Sequence, residues 1–401
     1  MLLHEMAISG RRAYWTWVVC LLAAIAAGFA CYLRQLDQGL VLTGLSRDVS
    51  WGLYIGQFTF TVGIAASAVM LVLPYYLHHS REFGKIVILG ECVAIAAVVM
   101  CMLFIFVDMG QPARVLNVLW YASPHSMMFW DMVSLAGYLL LNAVIATVTL
   151  GSERKDLPPP SWLRPVIVVS IPWAISIHTV TAFLYCGLPG RPFWQTAILA
   201  PRFLASAFAS GPALLILLWL ALCRLTRSDA GRVAVQRLAV IMTYAMLLNV
   251  FFVLLEIFTA FYSQIPEQKE HFRYLFFGLE GHSSLVPWMW ISAMLAVVSA
   301  GVLLSPGCRR DERTLAAACA GVFVSLWIDK GIAMVVGGFV PSPLGKVTEY
   351  APTLPEVAIT AGIWAMGALL ATVLIRIAIS VRNGPGGHVA STVSTYQEVS
   401  H

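Results

Sequence analysis

The stretch IVILGECVAIAAVVMCMLFIFVD, residues 86–108, decides the fold. Its only charged side chains are Glu91 and the closing Asp108, and apolar and polar positions do not alternate along it. A helix needs about 20 apolar residues to cross the hydrocarbon core of a bilayer. A barrel strand would show a two-residue alternation instead, so continuous runs exclude an outer-membrane barrel. Nine further stretches read the same way: 14–33, 50–77, 127–149, 163–185, 201–222, 236–262, 285–305, 313–337 and 355–381.

Composition agrees over all 401 residues, of which 59% are apolar or aromatic and 11% charged. A soluble globular protein carries about 25% charged residues. No soluble fold of this size hides so much apolar side chain from water, so lipid is the solvent for most of the chain. That excludes a soluble enzyme, a secreted disulfide scaffold, a nucleic-acid binder and a disordered protein. The expected fold is an all-α polytopic membrane protein with ten transmembrane helices over 14–382. A short segment, 1–13, precedes them, and a Gly-, Ser- and Thr-rich tail, 383–401, is expected to be disordered.

Lys and Arg set the direction. With the N-terminus in the cytoplasm, inner segments hold 16 of them, Arg154, Arg309 and Arg310 included. Outer segments hold 8, counting Arg114 and Arg202, and Lys330 lies inside a span. Ten crossings put both termini in the cytoplasm, and the expected location is a bacterial inner membrane. Arg11-Arg12 before the first span and Arg34 after it read as an uncleaved anchor rather than a signal peptide. The outer loops, 34–49, 109–126, 186–200, 263–284 and 338–354, are the longer ones. That suits an outside partner, and it equally suits loops that only cap helix ends.

The eight cysteines include no C-x-x-C pair and no cluster, so they cannot hold an iron–sulfur centre. They read as small apolar fillers. Only His178 of the nine histidines sits well inside a span, with His125 the one conceivable second axial ligand for a haem. The chain is therefore expected to hold no haem, iron–sulfur cluster or other metal of its own.

An ionisable residue at membrane depth is costly and marks function by default. The candidates are Glu91, Asp108, Asp131, His178, Glu256, Asp329 and Lys330, and all but Glu91 fall in the outer half. Helical spacing lines Asp131 up with Ser134 and Tyr138, and His178 with Thr181 and Tyr185. Tyr54, Gln57 and Thr61 share a face of the second span, and Gly52 and Gly56 form a small-residue step that permits close helix approach. For Glu91, Gln57 and Asn249 the structural reading is preferred: hydrogen bonds between helices. Asp131 and His178 lie at similar shallow depth. A carboxylate and an imidazole so placed can bind the two carbonyls of a quinone and manage its protons. Asp329 and Lys330 are adjacent and diverge by about 100°, so Lys330 is expected to meet Glu256 or another carboxylate across a helix gap. Trp51, Trp120, Trp130, Trp288 and Trp290 cluster at outer span ends as an aromatic belt.

Several stretches resemble the polysulfide reductase membrane subunit family, also called NrfD/PsrC. They are Gly44 to Tyr54, Asp108 to Arg114, Ser123 to Asp131, Ser176 to Thr179, Trp327 to Gly331, Gly338 to Gly345 and Glu349 to Thr353. The later ones are most similar to the subgroup of HybB and of DsrP from the DsrMKJOP complex of sulfur metabolism. The resemblance implies two four-helix bundles, about 50–185 and 201–337, with one flanking helix at each end. It also implies a quinone (menaquinone or ubiquinone) site near the outer face of the first bundle. That site would abut a periplasmic, ferredoxin-like iron–sulfur subunit, DsrO-like, within a DsrMKJOP-like complex. Asp131 and His178 then become the quinone partners, Tyr54 and Trp51 their neighbours, and Arg114 a residue at the mouth. The first span, almost wholly apolar, does not match the quinone-ligating helix of some relatives.

Two other functions fit the residues. Glu256, Asp329 and Lys330 could form a proton-transfer path, in this complex or in an ion transporter. A passive anchor is the third reading. Transporters characteristically break helices at the midplane, and here Pro172 and Pro212 interrupt spans while the polar residues lie off-centre.

Overall fold

The computed structural model describes residues 12–76, 86–155, 157–226 and 231–382. The tail 383–401, nearly all of the segment 1–13, and Arg81, Lys85 and Arg227 lie outside the described residues. Ten helices are long and apolar enough to cross a membrane, and we number them α1 to α10. They are Arg12–Gln38, Leu53–Val72, Val87–Asp108, Met127–Lys155, Leu163–Cys186, Leu199–Arg224, Arg232–Tyr262, Val286–Leu304, Glu312–Gly337 and Leu354–Val381. Beside them, the only extended pairing among the described residues is one bridge, Leu279 to His282. The chain is an all-helical, multi-pass membrane protein.

Residue chemistry explains where the helices start and stop. α1 runs past residue 33 because nothing breaks it before Gly39, whose φ of 78° and extended ψ suit glycine and turn the chain out of the helix. The Gly39 N–H caps the Gln35 carbonyl at 2.8 Å, so Gln35 belongs to the span. α9 begins where the Asp311 side chain accepts the Thr314 N–H at 2.8 Å. The loop 263–284 folds a short helix, Pro266–Phe276, with proline in its first turn. Pro172 and Pro212 sit inside α5 and α6, and both helices continue through them.

α2 carries no charged side chain and is buried along its whole spanning window, its polar residues included. It packs against α3, α5, α6, α9 and α10. The other main pairings are α1 with α10, α4 with α5, α6 with α7, α8 with α9, α3 with α10, and α9 with α6. At the α1–α10 contact, a methyl on Gly28 would meet the Ala358 carbonyl at 2.8 Å and the Gly362 Cα at 2.9 Å. The Gly52–Gly56 step serves two different neighbours. A Cβ on Gly56 would run into the Gly331 carbonyl of α9, whereas Gly52 makes room for the Tyr350 ring. Large apolar side chains on α1, α7 and α8, such as Phe29, Leu254, Phe258 and Val297, stay exposed and face lipid.

One end of the molecule carries the long loops and the other most of the arginines. The long-loop face is tied by buried polar contacts. Glu356 is wholly buried and accepts from the Tyr350 hydroxyl at 2.7 Å, the Gly44 N–H at 2.7 Å and the Thr353 N–H at 2.9 Å. Asp48 accepts from Lys346 and Thr348, which hold its carboxyl below the usual range. Nδ1 of His271 lies 2.8 Å from both the Gly337 and Val340 carbonyls, so it carries the proton and donates.

Candidate functional site

Two polar clusters lie inside the membrane span. The first joins α4 and α5. Asp131 is 3% exposed, and its Oδ1 accepts from the Thr181 hydroxyl at 2.8 Å. Thr181 sits one turn beyond His178, so the two sequence stripes face each other, and the Trp173 indole seals the seam by donating to the Ser134 carbonyl at 2.8 Å. His178 is 0% exposed, and neither ring nitrogen has a hydrogen-bond partner. A buried imidazole without a partner is rare, because its desolvation is uncompensated.

The remaining residues expected near this pair are dispersed. Trp51 is held inside a cluster, 5.4 Å from the Tyr185 ring, 6.0 Å from Trp194 and 5.8 Å from Phe339. It is therefore not part of an aromatic belt, though Tyr185 links it to the helix of His178. Tyr54 turns the other way: its hydroxyl donates to Gln35 Oε1 at 2.7 Å, and Gln35 donates to the Val107 carbonyl at 2.7 Å. Arg114 is exposed in the turn Pro112–Arg114. Gln57 behaves as a structural hub, with the indoles of Trp327 and Trp364 both donating to its Oε1 at 2.8 and 3.0 Å.

The second cluster joins α6, α7 and α9. Its centre is Arg202, 6% exposed, which its place in the sequence assigns to the outer loops. Its guanidinium donates to Glu256 at 2.5 Å and to both oxygens of Asp329 at 2.8 and 2.9 Å. The expected Lys330–Glu256 pair is thus corrected: a planar fork of donors serves two carboxylates where one ammonium cannot. Lys330 diverges from Asp329, as adjacent residues must. Its Nζ lies 3.4 Å from the Phe203 carbonyl and 4.3 Å over the Phe203 ring. A π turn at Asp329–Ala333 widens α9 here; such turns recur at functional positions. Arg202 had a signal in the sequence. Two carboxylates at one membrane depth call for a bidentate cation, and Arg202 lies in the first turn of α6.

Comparison with known proteins extends this. The family model described as "Polysulphide reductase, NrfD" matches residues 41–328. A putative dimethyl sulfoxide reductase membrane subunit of Halobacterium salinarum is 26% identical, over 94% of this chain and 93% of that one. A selenate reductase subunit of Mesobacillus selenatarsenatis is 23% identical, covering 67% of this chain and 70% of its own. An Hdr-like menaquinol oxidoreductase integral membrane subunit of Archaeoglobus fulgidus is 23% identical, over 61% and 60%.

Proposed function

We propose, from the premise that this chain belongs to the polysulphide reductase NrfD family, that it is the quinone-binding membrane subunit of a respiratory oxidoreductase complex. The observation that carries this is His178: a fully buried imidazole with two free ring nitrogens, one turn from the threonine that holds Asp131. Such a side chain fits a carbonyl ligand that arrives from the lipid. A quinone, when bound, supplies two-electron, two-proton redox chemistry. The chain's own part is to bind and to handle protons. His178 would hydrogen-bond one carbonyl, Asp131 would hold or release a proton at Oδ1 or Oδ2, and the Trp51–Tyr185 pair would brace the outer end of α5.

The finer reading places the long-loop face outside a bacterial inner membrane, with both termini in the cytoplasm. There it would meet a periplasmic, ferredoxin-like iron–sulfur subunit, DsrO-like, in a DsrMKJOP-like complex of sulfur metabolism. The motif stretches at 338–345 and 349–353 support that subgroup. The pairings within α2–α5 and within α6–α9 support two bundles. Glu256, Asp329 and Lys330 are assigned to proton transfer. Lys330 stays free of a carboxylate pair beside Phe203, while Arg202 fixes the two carboxylates. The unbroken course of α5 and α6 speaks against a transporter.

Solvent extraction of the purified complex tests the reading. About one isoprenoid quinone per chain is expected, and a variant His178→Phe, which fills the imidazole site without ring nitrogens, should lose it. A complex free of quinone, or one that keeps it in that variant, refutes the assignment.

A further inference from the structure

At the arginine-rich face, the ends of four spans surround an open recess of about 410 Å³, lined by Arg224, Arg232, Arg310, Asp311, Glu312 and Arg313. Arg224 closes α6, Arg232 opens α7, Arg310 ends the short helix Pro306–Arg310, and Arg313 lies in the first turn of α9. We infer that this recess is a binding site for a phosphate-bearing anion, of the kind carried by an anionic phospholipid headgroup.

Both acidic residues of the lining are already engaged. Asp311 caps α9 and accepts the Thr314 hydroxyl at 2.6 Å, and Glu312 lies 3.7 Å from Arg232. Arg224, Arg310 and Arg313 have no carboxylate within ion-pair distance among the described residues. Four arginines therefore share one recess with two carboxylates, which leaves an excess of positive charge there. Segregation of basic residues to one face accounts for their presence in these loops. It does not account for the convergence of four of them around one cavity that holds only two carboxylates.

The wall is fixed rather than loose. Arg309 donates to the Leu303 carbonyl at 2.5 Å, and Gln236 donates to the Arg309 carbonyl at 2.9 Å. These bonds hold the backbone that carries Arg310, and guanidiniums that converge on one recess match the tetrahedral oxygens of phosphate in bidentate fashion. Depth points the same way. The spans end and begin at these residues, so the recess lies at headgroup level, where basic pockets between helices hold phosphate headgroups. Val233 and Leu304, both exposed, offer acyl chains a surface beside it. The site lies at the opposite end of α6 from Arg202, roughly 33 Å away at 1.5 Å per residue, so it is independent of the quinone reading.

The test uses the full chain, purified in a neutral detergent, and titrates it separately with dioleoylphosphatidylglycerol, dioleoylphosphatidylcholine and inorganic phosphate. Wild type should bind phosphatidylglycerol at least about tenfold more tightly than phosphatidylcholine. The R310Q/R313Q variant should lose that preference while keeping its melting temperature in phosphatidylcholine. Competition by millimolar phosphate would identify a site open to the free anion; its failure to compete would identify a lipid site. Equal binding of the two lipids by wild type with no phosphate binding, or an unchanged preference in the variant, overturns the inference. Should R310Q/R313Q not fold, Arg224→Gln carries the same comparison.

Discussion

Arg202→Gln would leave Glu256 and Asp329 buried beside each other without the guanidinium that pairs both. Removing one partner of a buried ion pair costs ~3–5 kcal/mol, because the stranded charges lose their compensation. The variant should therefore melt well below wild type in detergent. Arg202→Lys should recover only part of the loss, since one ammonium cannot reach both carboxylates with the fork of a guanidinium. The sequence shows three of the four members of this cluster and the cost of burying them. It hides the fourth, because a charge in the first turn of a span reads equally as a loop charge. Tyr54 shows the reverse limit. Helical spacing places it on a polar face, but only the packing of α1 decides that this face meets Gln35.

His271, outside the spans, gives a pH-dependent expectation. Burial is the main cause that pulls its pKa below 6.5, against the two backbone carbonyls that raise it. The folded loop thus prefers neutral imidazole. Its contribution to stability is complete above about pH 6.5 and is lost as pH falls through the lowered folded value. Melting temperature should fall on acidification through that window, and His271→Gln should flatten the curve. Asp48 and Glu349 are lowered from 3.8 and 4.5 by hydrogen bonds, so their contributions begin to fall only below those values, whereas that of His271 begins to fall below about 6.5.

Among the elements, the α2–α9 contact is the most sensitive to volume. A methyl on Gly56 would meet the Gly331 carbonyl, and backbone cannot give way as a side-chain tip can. Gly56→Ala should cost ~1–3 kcal/mol, the range for overpacking. Gly301→Ala, with open space around it, should be neutral or slightly stabilising because alanine is the better helix former. Thermal unfolding of the two variants in the same detergent makes the comparison. The ten helices were legible because each needs about 20 apolar residues and the chain offers no other solution in lipid. Their ends were less so. α1 extends to Gln38 and α7 begins at Arg232, because helices run past the hydrocarbon into the interface, where hydropathy no longer reports on them. The π turn of α9 left no composition signal: it follows from packing Gly331 against Gly56 while aiming Asp329 at Arg202.

For the whole molecule, the proposed orientation predicts that a reporter active only in the cytoplasm works at the C-terminus and fails in the loop 263–284. Activity in that loop would reverse the assignment of the long-loop face. The same orientation puts Asp131 and His178 within reach of the outside, close to the face where an electron-carrying partner would dock. Asp131→Asn tests the quinone site most directly. It keeps size and hydrogen bonding and removes only the group that titrates. In the assembled complex, quinol turnover should fall at least about tenfold, roughly 1.4 kcal/mol of barrier, while Glu91→Gln, at the opposite face, should turn over as wild type does. An assembled Asp131→Asn complex running at the wild-type rate would place the site elsewhere and leave Asp131 and His178 as structural partners.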